Sequence, residues 1–292
     1  MTTMFVTGAA GMVGGYVPRV FGDLELVLTD LVGHATLDVR DRLAVAKAIA
    51  DARPEVVLHL AAATDVDRCQ TDGRWARESN ADATRYVAEA TRDVGAALVY
   101  ISTGSVFSGD KDEPYVESDE PGPVNVYART KLEGEAIVAA TLARHFIVRA
   151  GWMIGGGGVD TKFVGKMVSL IAEGRTTLRA VSDTRGTPTY AADLLAGIKR
   201  LLPTGKFGLY HMGNAGSCTR YDVACAVVEA LGRKDVAVEA VDSSVFPLPA
   251  PRPRSEAIRN AALQALGMEQ RPWQEALHEY VTRELASRLI RS

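Results

Sequence analysis

One stretch limits what this chain can fold into more than any other: Met4-Phe5-Val6-Thr7-Gly8-Ala9-Ala10-Gly11-Met12-Val13-Gly14, a short apolar run that breaks into three glycines at spacing GxxGxxG. An apolar strand that ends in glycines and passes straight into a helix leaves unpaired backbone N–H groups and the positive helix end facing one point, where a pyrophosphate fits. The three glycines serve the turn itself, close backbone approach to phosphates and tight helix-on-sheet packing. Alone, the turn also fits an ordinary strand-to-helix connection.

A second element narrows the choice. The run Leu24-Glu25-Leu26-Val27-Leu28-Thr29 reads as another strand and ends on Asp30, where a dinucleotide fold sets an acid against the adenosine ribose. A carboxylate there repels a 2′-phosphate, so NAD(H) is favoured while NADP(H) stays open. Farther along, Ala35 to Val39 reads as a short strand, Asp41 to about Ala52 as an amphipathic helix closed by Pro54, and Glu55 to Ala62 as a strand without alternation. Solid apolar strands alternating with helices imply an α/β chain with a Rossmann-like, doubly wound parallel sheet whose faces are both covered. His59, in the middle of such a strand, reads as a core imidazole with a hydrogen-bond partner.

Composition excludes several classes. The chain has 292 residues, 47% of them hydrophobic and 24% charged, and a net charge of −3 offers no basic footprint for nucleic acid. No run approaches ~18 uninterrupted apolar residues, so no membrane span is expected. Cys69, Cys218 and Cys225 are too few and scattered for a disulfide framework, and no His stands near them at metal-ligand spacing. A cytoplasmic protein without a metal, acting on a small molecule, is the expectation; a homodimer stays open.

The chemistry comes later in the chain. Leu60, Ala61, Ala62, Ala63 and Thr64 put small side chains at a strand's carboxyl end, where open α/β sheets bind ligands. A helix from about Trp75 to Val94 carries Asn80, and the strand Ala97 to Ile101 runs into Ser102-Thr103-Gly104-Ser105, whose hydroxyls serve either a site or a turn. After a proline-bearing loop over 110–125, Tyr127 and Lys131 lie one turn apart on one face of a helix that runs to roughly Thr141. The order of nucleotide turn, hydroxyl strand end and Tyr-x-x-x-Lys helix fits hydride transfer to a carbonyl, which needs a proton donor. A phenol near pKa 10 is poorly matched to neutral pH, and a neighbouring ammonium together with an oxidised nicotinamide would favour its phenolate.

The second half reads as a strand over Phe146–Ala150, a glycine run Gly155 to Gly158 taken as a hinge or loop, a helix from about Thr161 to Glu173 and a strand Thr177–Val181. A turn-rich segment over 183–190 precedes a helix Ala191 to Leu202, a strand Lys206 to Met212 and a helix Thr219 to Leu231. The proline-rich stretch Val245 to Arg254 must be extended or looped. Its Arg252 and Arg254 either clamp a diphosphate or simply solvate the loop. A final helix is expected from about Pro272 to Ile290. The expected division is a nucleotide-binding domain over 1–153 and a smaller, mainly substrate-binding domain over 154–292, with roughly 176–212 partly returning to the first sheet.

These residues resemble the extended short-chain dehydrogenase/reductase superfamily and, within it, the dTDP-4-dehydrorhamnose reductase family. The likeness rests on Thr7-Gly8-x-x-Gly11-x-x-Gly14, Ser102-Thr103-x-x-Val106-Phe107-x-Gly109, Asn125-Val126-Tyr127-x-x-x-Lys131, Arg149-x-x-Trp152, Gly186-x-Pro188-Thr189-Tyr190-x-x-Asp193 and Arg252-Pro253. It implies hydride transfer from NAD(P)H to the 4-keto group of a nucleotide-activated deoxysugar, with Thr103, Tyr127 and Lys131 catalytic. It further implies that Gly8, Gly11, Met12, Val13, Gly14, Asp30, Asp38, Val39, Leu60, Ala61, Ala62 and Asn80 hold the cofactor, together with Tyr127 and Lys131. Thr64, Ser105, Trp152, Arg185 and Arg252 would line the sugar-nucleotide side. Typical members carry Asp-Tyr after the Ser-Thr pair, where this chain has Gly104-Ser105, so the acidic pair that a 4,6-dehydratase needs is missing. Two other readings follow from the superfamily: an epimerase that keeps its NAD bound, and a non-catalytic cofactor-binding regulatory subunit like that of methionine adenosyltransferase.

Overall fold

The structure is a computed structural model that describes residues 2–286. Its strands are β1 (Thr3–Thr7), β2 (Glu25–Asp30), β3 (Ala35–Thr36), β4 (Val56–His59), β5 (Ala97–Thr103), β6 (His145–Ala150) and β7 (Trp152–Ile154), then β8 (Thr177–Val181), β9 (Arg185–Gly186), β10 (Pro188–Tyr190), β11 (Gly208–His211), β12 (Cys218–Thr219), β13 (Ala237–Val241) and β14 (Ser255–Glu256). Seven of them form one sheet in the order β11-β6-β5-β4-β1-β2-β3, parallel throughout. The order reverses between β1 and β4, and a cleft opens at the carboxyl ends of strands at such a switch point.

Both sheet faces are apolar, which is why the strands read as solid runs. Met4, Val6, Leu58, Val99 and Val148 pack on one side with Val17, Phe21, Leu194 and Ile198. The intervening Phe5, Val57, Leu98, Tyr100 and Ile147 pack on the other with Val45, Ile49, Val87 and Val138. His59 is a buried polar group in this core: Thr7 Oγ1 lies 2.7 Å from its Nδ1 and Thr84 Oγ1 3.2 Å from its Nε2. Burial pushes its imidazole down to about 3, so it stays neutral.

Several elements differ from the expectation. The third strand stops at Thr36 because Asp38 to Asp41 turn back on themselves, Asp41 N donating to Asp38 O at 3.0 Å. The expected helix over 75–94 begins at Gly73 and is interrupted by a π-helical turn, Glu78–Asp82, before continuing as Ala83–Asp93. The segment over 183–190 holds two short strands, and Met153 sits inside β7, which pairs with β10. β11 pairs with β6 in the central sheet, while β8 pairs with β13 outside it. The last helix is α-helical over Trp273–Tyr280 and π-helical over Val281–Leu285; the remainder of its expected span lies outside the described residues.

Gly155, Gly156 and Gly157 all have positive φ, but their run is pinned down. Tyr280 OH donates to Gly155 O at 2.7 Å and Gly156 N donates to Tyr16 OH at 3.0 Å. Glu284 accepts from both Tyr16 and Tyr190, so the last helix ties this loop to the turn that follows the first glycines.

Candidate active site

A cleft of about 890 Å³ opens at the β1/β4 switch point. One wall follows from the glycine turn. Gly8 has φ +72°, and a Cβ there would fall 2.5 Å from Ala61 N, so only glycine lets β1 leave the sheet this close to the end of β4. At Gly14 a Cβ would run into the carbonyl of Ala9, whereas Gly11 faces the cleft beside Met12 and Val13. Asp30 also lines the cleft, where its carboxylate accepts from Ala10 N at 2.9 Å and Leu31 N at 2.6 Å. Asp38 and Val39 lie alongside, with Asp38 held by Arg40 through bonds of 2.6–3.2 Å that draw its carboxyl below the usual range. Leu60, Ala61, Ala62 and Thr64 complete this side. Small residues, a glycine cradle and a carboxylate at the second strand's end suit a dinucleotide's pyrophosphate and ribose.

Asn80 is not on the cleft. It is buried, accepting from Ala63 N at 2.8 Å and donating to Ala63 O at 3.1 Å and Thr130 Oγ1 at 3.1 Å. The π-helical turn that carries it aims this amide at the chain leaving β4, so Asn80 braces the cleft floor against the helix Val126–Thr141.

That helix positions the phenol. Asn125 caps it, accepting from Ala128 N at 2.9 Å, and its amide donates to Pro251 O at 3.0 Å. Tyr127 thus sits in the first turn, lining the cleft together with Thr103 at the end of β5. Lys131 is one turn deeper and buried, its ammonium 4.1 Å from the centre of the Tyr100 ring. The expected lowering of the phenol by this ammonium is not found here. Burial and the nearby Glu256 carboxylate push Tyr127 up to about 12, against the lowering influence of the Thr103 hydroxyl, and burial pushes Lys131 down to about 7 against the pull of Glu135. Desolvation disfavours the charged form of each.

The opposite wall comes from distant segments. Trp152 stands on β7, and the Arg220 guanidinium lies 3.7 Å above its ring and 5.1 Å from that of Phe163. Burial pulls Arg220 down to about 10, still fully charged at neutral pH, and Glu256 opposes that shift. Arg252 lines the cleft while donating to Asp67 at 3.0 Å and Ala250 O at 2.8 Å. Ser105 and Glu256 meet beside Thr103.

Two expected basic groups lie elsewhere. Arg185 lines a smaller pocket of about 290 Å³, not the cleft. Successive strand residues point to opposite faces, and its neighbour Gly186 is the one against the Trp152 indole, leaving no room for a Cβ. Arg254 borders that same pocket and pairs with Asp112, so no clamp forms from Arg252 and Arg254.

Sequence reasoning missed Arg220 and Glu256. Arg220 had a faint signal: a cation in the first turn of a helix opposes the macrodipole and calls for another reason. Glu256 had none beyond its closeness to Arg252-Pro253. Among the described residues, no group of three or more His, Cys, Asp or Glu is placed to hold a metal, and no helix is long and apolar enough to cross a membrane.

Comparison with known proteins agrees with this geometry. A dTDP-4-dehydrorhamnose reductase of Streptomyces griseus is 37% identical over 281 residues, spanning 94% of this chain and 91% of that protein. A probable dTDP-4,6-dihydroxy-2-methyloxan-3-one 4-ketoreductase of Streptomyces antibioticus is 36% identical over 94% of this chain and 92% of its own length. Among solved structures, the dTDP-4-dehydrorhamnose reductase of Bacillus anthracis in complex with NADP superposes with a TM-score of 0.90 at 33% identity, covering 96% of this chain and 99% of that one. The family model described as the RmlD substrate binding domain matches residues 1–286, and with the relatives above it establishes that this chain belongs to that family.

Proposed function

We propose that this chain catalyses the NAD(P)H-dependent reduction of the 4-keto group of a nucleotide-activated deoxysugar, with residues 1–153 binding mainly the cofactor and 154–292 mainly the sugar nucleotide. The carrying observation is that Thr103 and Tyr127 stand on the same cleft as the glycine turn. A bound reduced nicotinamide supplies the hydride. Thr103 holds the ketone oxygen and Tyr127 gives it a proton, a role that a phenol pushed up to about 12 is ready for, because it is fully protonated at neutral pH. Lys131 sits one helical turn behind and stabilises the phenolate left after the transfer. Arg220 and Arg252 provide the charge for a diphosphate, with the Trp152 indole beside them holding the Arg220 guanidinium.

NADH is the preferred form in this reading, because the Asp30 carboxylate on the cleft at the end of the second strand would repel a 2′-phosphate brought to it. The three free thiols suit a reducing cytoplasm.

Replacing Tyr127 with Phe tests the assignment. Removing a positioned proton donor should lower kcat about 10³-fold while leaving the Kd for NADH unchanged, read by NADH oxidation with dTDP-, GDP- and UDP-linked 4-keto sugars. Wild-type turnover in that variant would sink the role given to Tyr127. A scaffold that binds cofactor without catalysis would show no NADH oxidation with any sugar of the panel.

A further inference from the structure

After Ser102-Thr103 the chain has Gly104-Ser105, and this turn is met by a residue from the far end of the sequence. Ser105 Oγ donates to Glu256 Oε2 at 2.5 Å across 151 positions, and both residues border the cleft. Gly104 makes the approach feasible: a Cβ there would lie 3.1 Å from Glu256 O and 3.2 Å from Ile258 Cγ2, so any side chain would press β14 away from the turn. Ser105 N in turn donates to Thr103 Oγ1 at 3.1 Å, which sets the pair beside the hydroxyl assigned to the ketone oxygen.

We propose that Ser105 and Glu256 form a specificity subsite, in which Glu256 accepts a hydrogen bond from the hydroxyl on the sugar carbon next to the ketone and Ser105 fixes the carboxylate in place. The inference rests on the ketoreductase reading. A carboxylate offers about four lone-pair directions, and the bond from Ser105 uses one, so acceptor capacity is left toward the cleft. Glu256 lines the same cleft as Thr103, Tyr127, Arg220 and Arg252, so a sugar whose ketone meets Thr103 and whose diphosphate meets the two arginines lies within reach of that lining. A carboxylate there repels phosphate and offers nothing to an apolar substituent, but it rewards a donor.

The experiment measures kcat/KM for dTDP-4-dehydrorhamnose and for its 3-deoxy analogue, with wild type, Glu256→Ala, Glu256→Gln and Ser105→Ala. A hydrogen bond to a charged acceptor predicts that wild type disfavours the 3-deoxy sugar by about 10- to 100-fold. In Glu256→Ala this preference should fall to within about threefold, because the removed hydroxyl has lost its partner. Glu256→Gln, which keeps an acceptor oxygen, should retain part of it. If Glu256→Ala does not fold, Ser105→Ala must weaken the preference by itself. Equal losses on both sugars in Glu256→Ala would mark a purely structural role and overturn the subsite, as would a wild type that treats the two sugars alike. Failure of the wild type to oxidise NADH or NADPH with any 4-keto sugar of the dTDP-, GDP- and UDP-linked panel would instead remove the ketoreductase reading, and the subsite with it.

Discussion

The two walls of the cleft are held by different means. The wall with the glycine turn is fixed by backbone: β1 pairs with both β2 and β4, Gly11 N donates to Gly8 O at 3.1 Å, Ala9 N to Thr29 O at 3.1 Å and Leu60 N to Thr7 O at 3.1 Å. The opposite wall has only the short β7–β10 and β9–β14 pairings behind it and is joined across by side chains that meet from β5, β7, the start of the helix Arg220–Ala230 and both flanks of the proline-rich loop. Ser105 on Glu256, Arg220 on Trp152 and Arg252 on Asp67 are its fastenings. A wall made of ladder hydrogen bonds cannot change without disturbing the sheet, whereas one made of side-chain pairs can take a new substrate by exchanging a pair.

The contrast breaks first at Gly8. Gly8→Ala combines a left-handed φ with a clash against the backbone of Ala61 and should cost about 3 kcal/mol of stability, with loss of NADH binding. Urea unfolding and NADH fluorescence titration check it. If the variant matched wild type in both, the first wall would be no more rigid than the second.

The same division decided what the sequence disclosed. The glycine spacing, the acid at Asp30 and the alternation of apolar strands with helices are local patterns, and the parallel sheet and its cleft follow from them. Tyr127 and Lys131 were legible because a helical turn fixes their relation. Arg185 was misplaced because a residue's face on a two-residue strand depends on its partners, here the Trp152 ring against Gly186. Arg220 and Glu256 were missed because they reach the site only through tertiary packing over long separations. The glycines at 155–157 resemble the first run in composition, yet Tyr280 and Tyr16 occupy the backbone groups of Gly155 and Gly156, and nothing in the local sequence announces that.

Lys131 stands behind both walls and gives a pH-dependent test. Its folded value near 7 lies below the ~10.4 of an unfolded lysine, so above pH 7 the unfolded chain holds a proton that the folded chain has released. Stability should therefore rise with pH over this window, by up to about 1.4 kcal/mol per unit. Lys131→Met should flatten the rise between pH 7 and 9, measured by urea unfolding without added nucleotide. An unchanged slope would mean that the ammonium is solvated and that the floor shared by the two walls is not dry.

On the side-chain wall, Arg220→Met keeps most of the volume against Trp152 and removes the charge. It should raise KM for the sugar nucleotide about 10- to 50-fold, the range of a charge-assisted hydrogen bond, with the Kd for NADH unchanged. A variant that also lost NADH would show that the walls are coupled, and their separate construction would then carry no functional meaning.

The smallest effect is expected at Asp30, on the backbone wall, and it asks whether that wall has any tunable part. Both carboxylate oxygens accept from backbone N–H groups, so Asp30→Asn keeps the size, removes the negative charge and gives up one of these two bonds, its NH2 having no acceptor there. Removing that repulsion should shift the ratio of kcat/KM for NADPH over NADH upward by about 10-fold, or ~1.4 kcal/mol. The neighbouring Arg40, although tied to Asp38, lines the same cleft and is the nearby cation that could answer a 2′-phosphate. Asp30→Asn combined with Arg40→Ala should lose part of the gain. If the single variant left the ratio unchanged, cofactor preference would not be set by this charge, and the backbone wall would have no part that can be retuned without rebuilding the sheet.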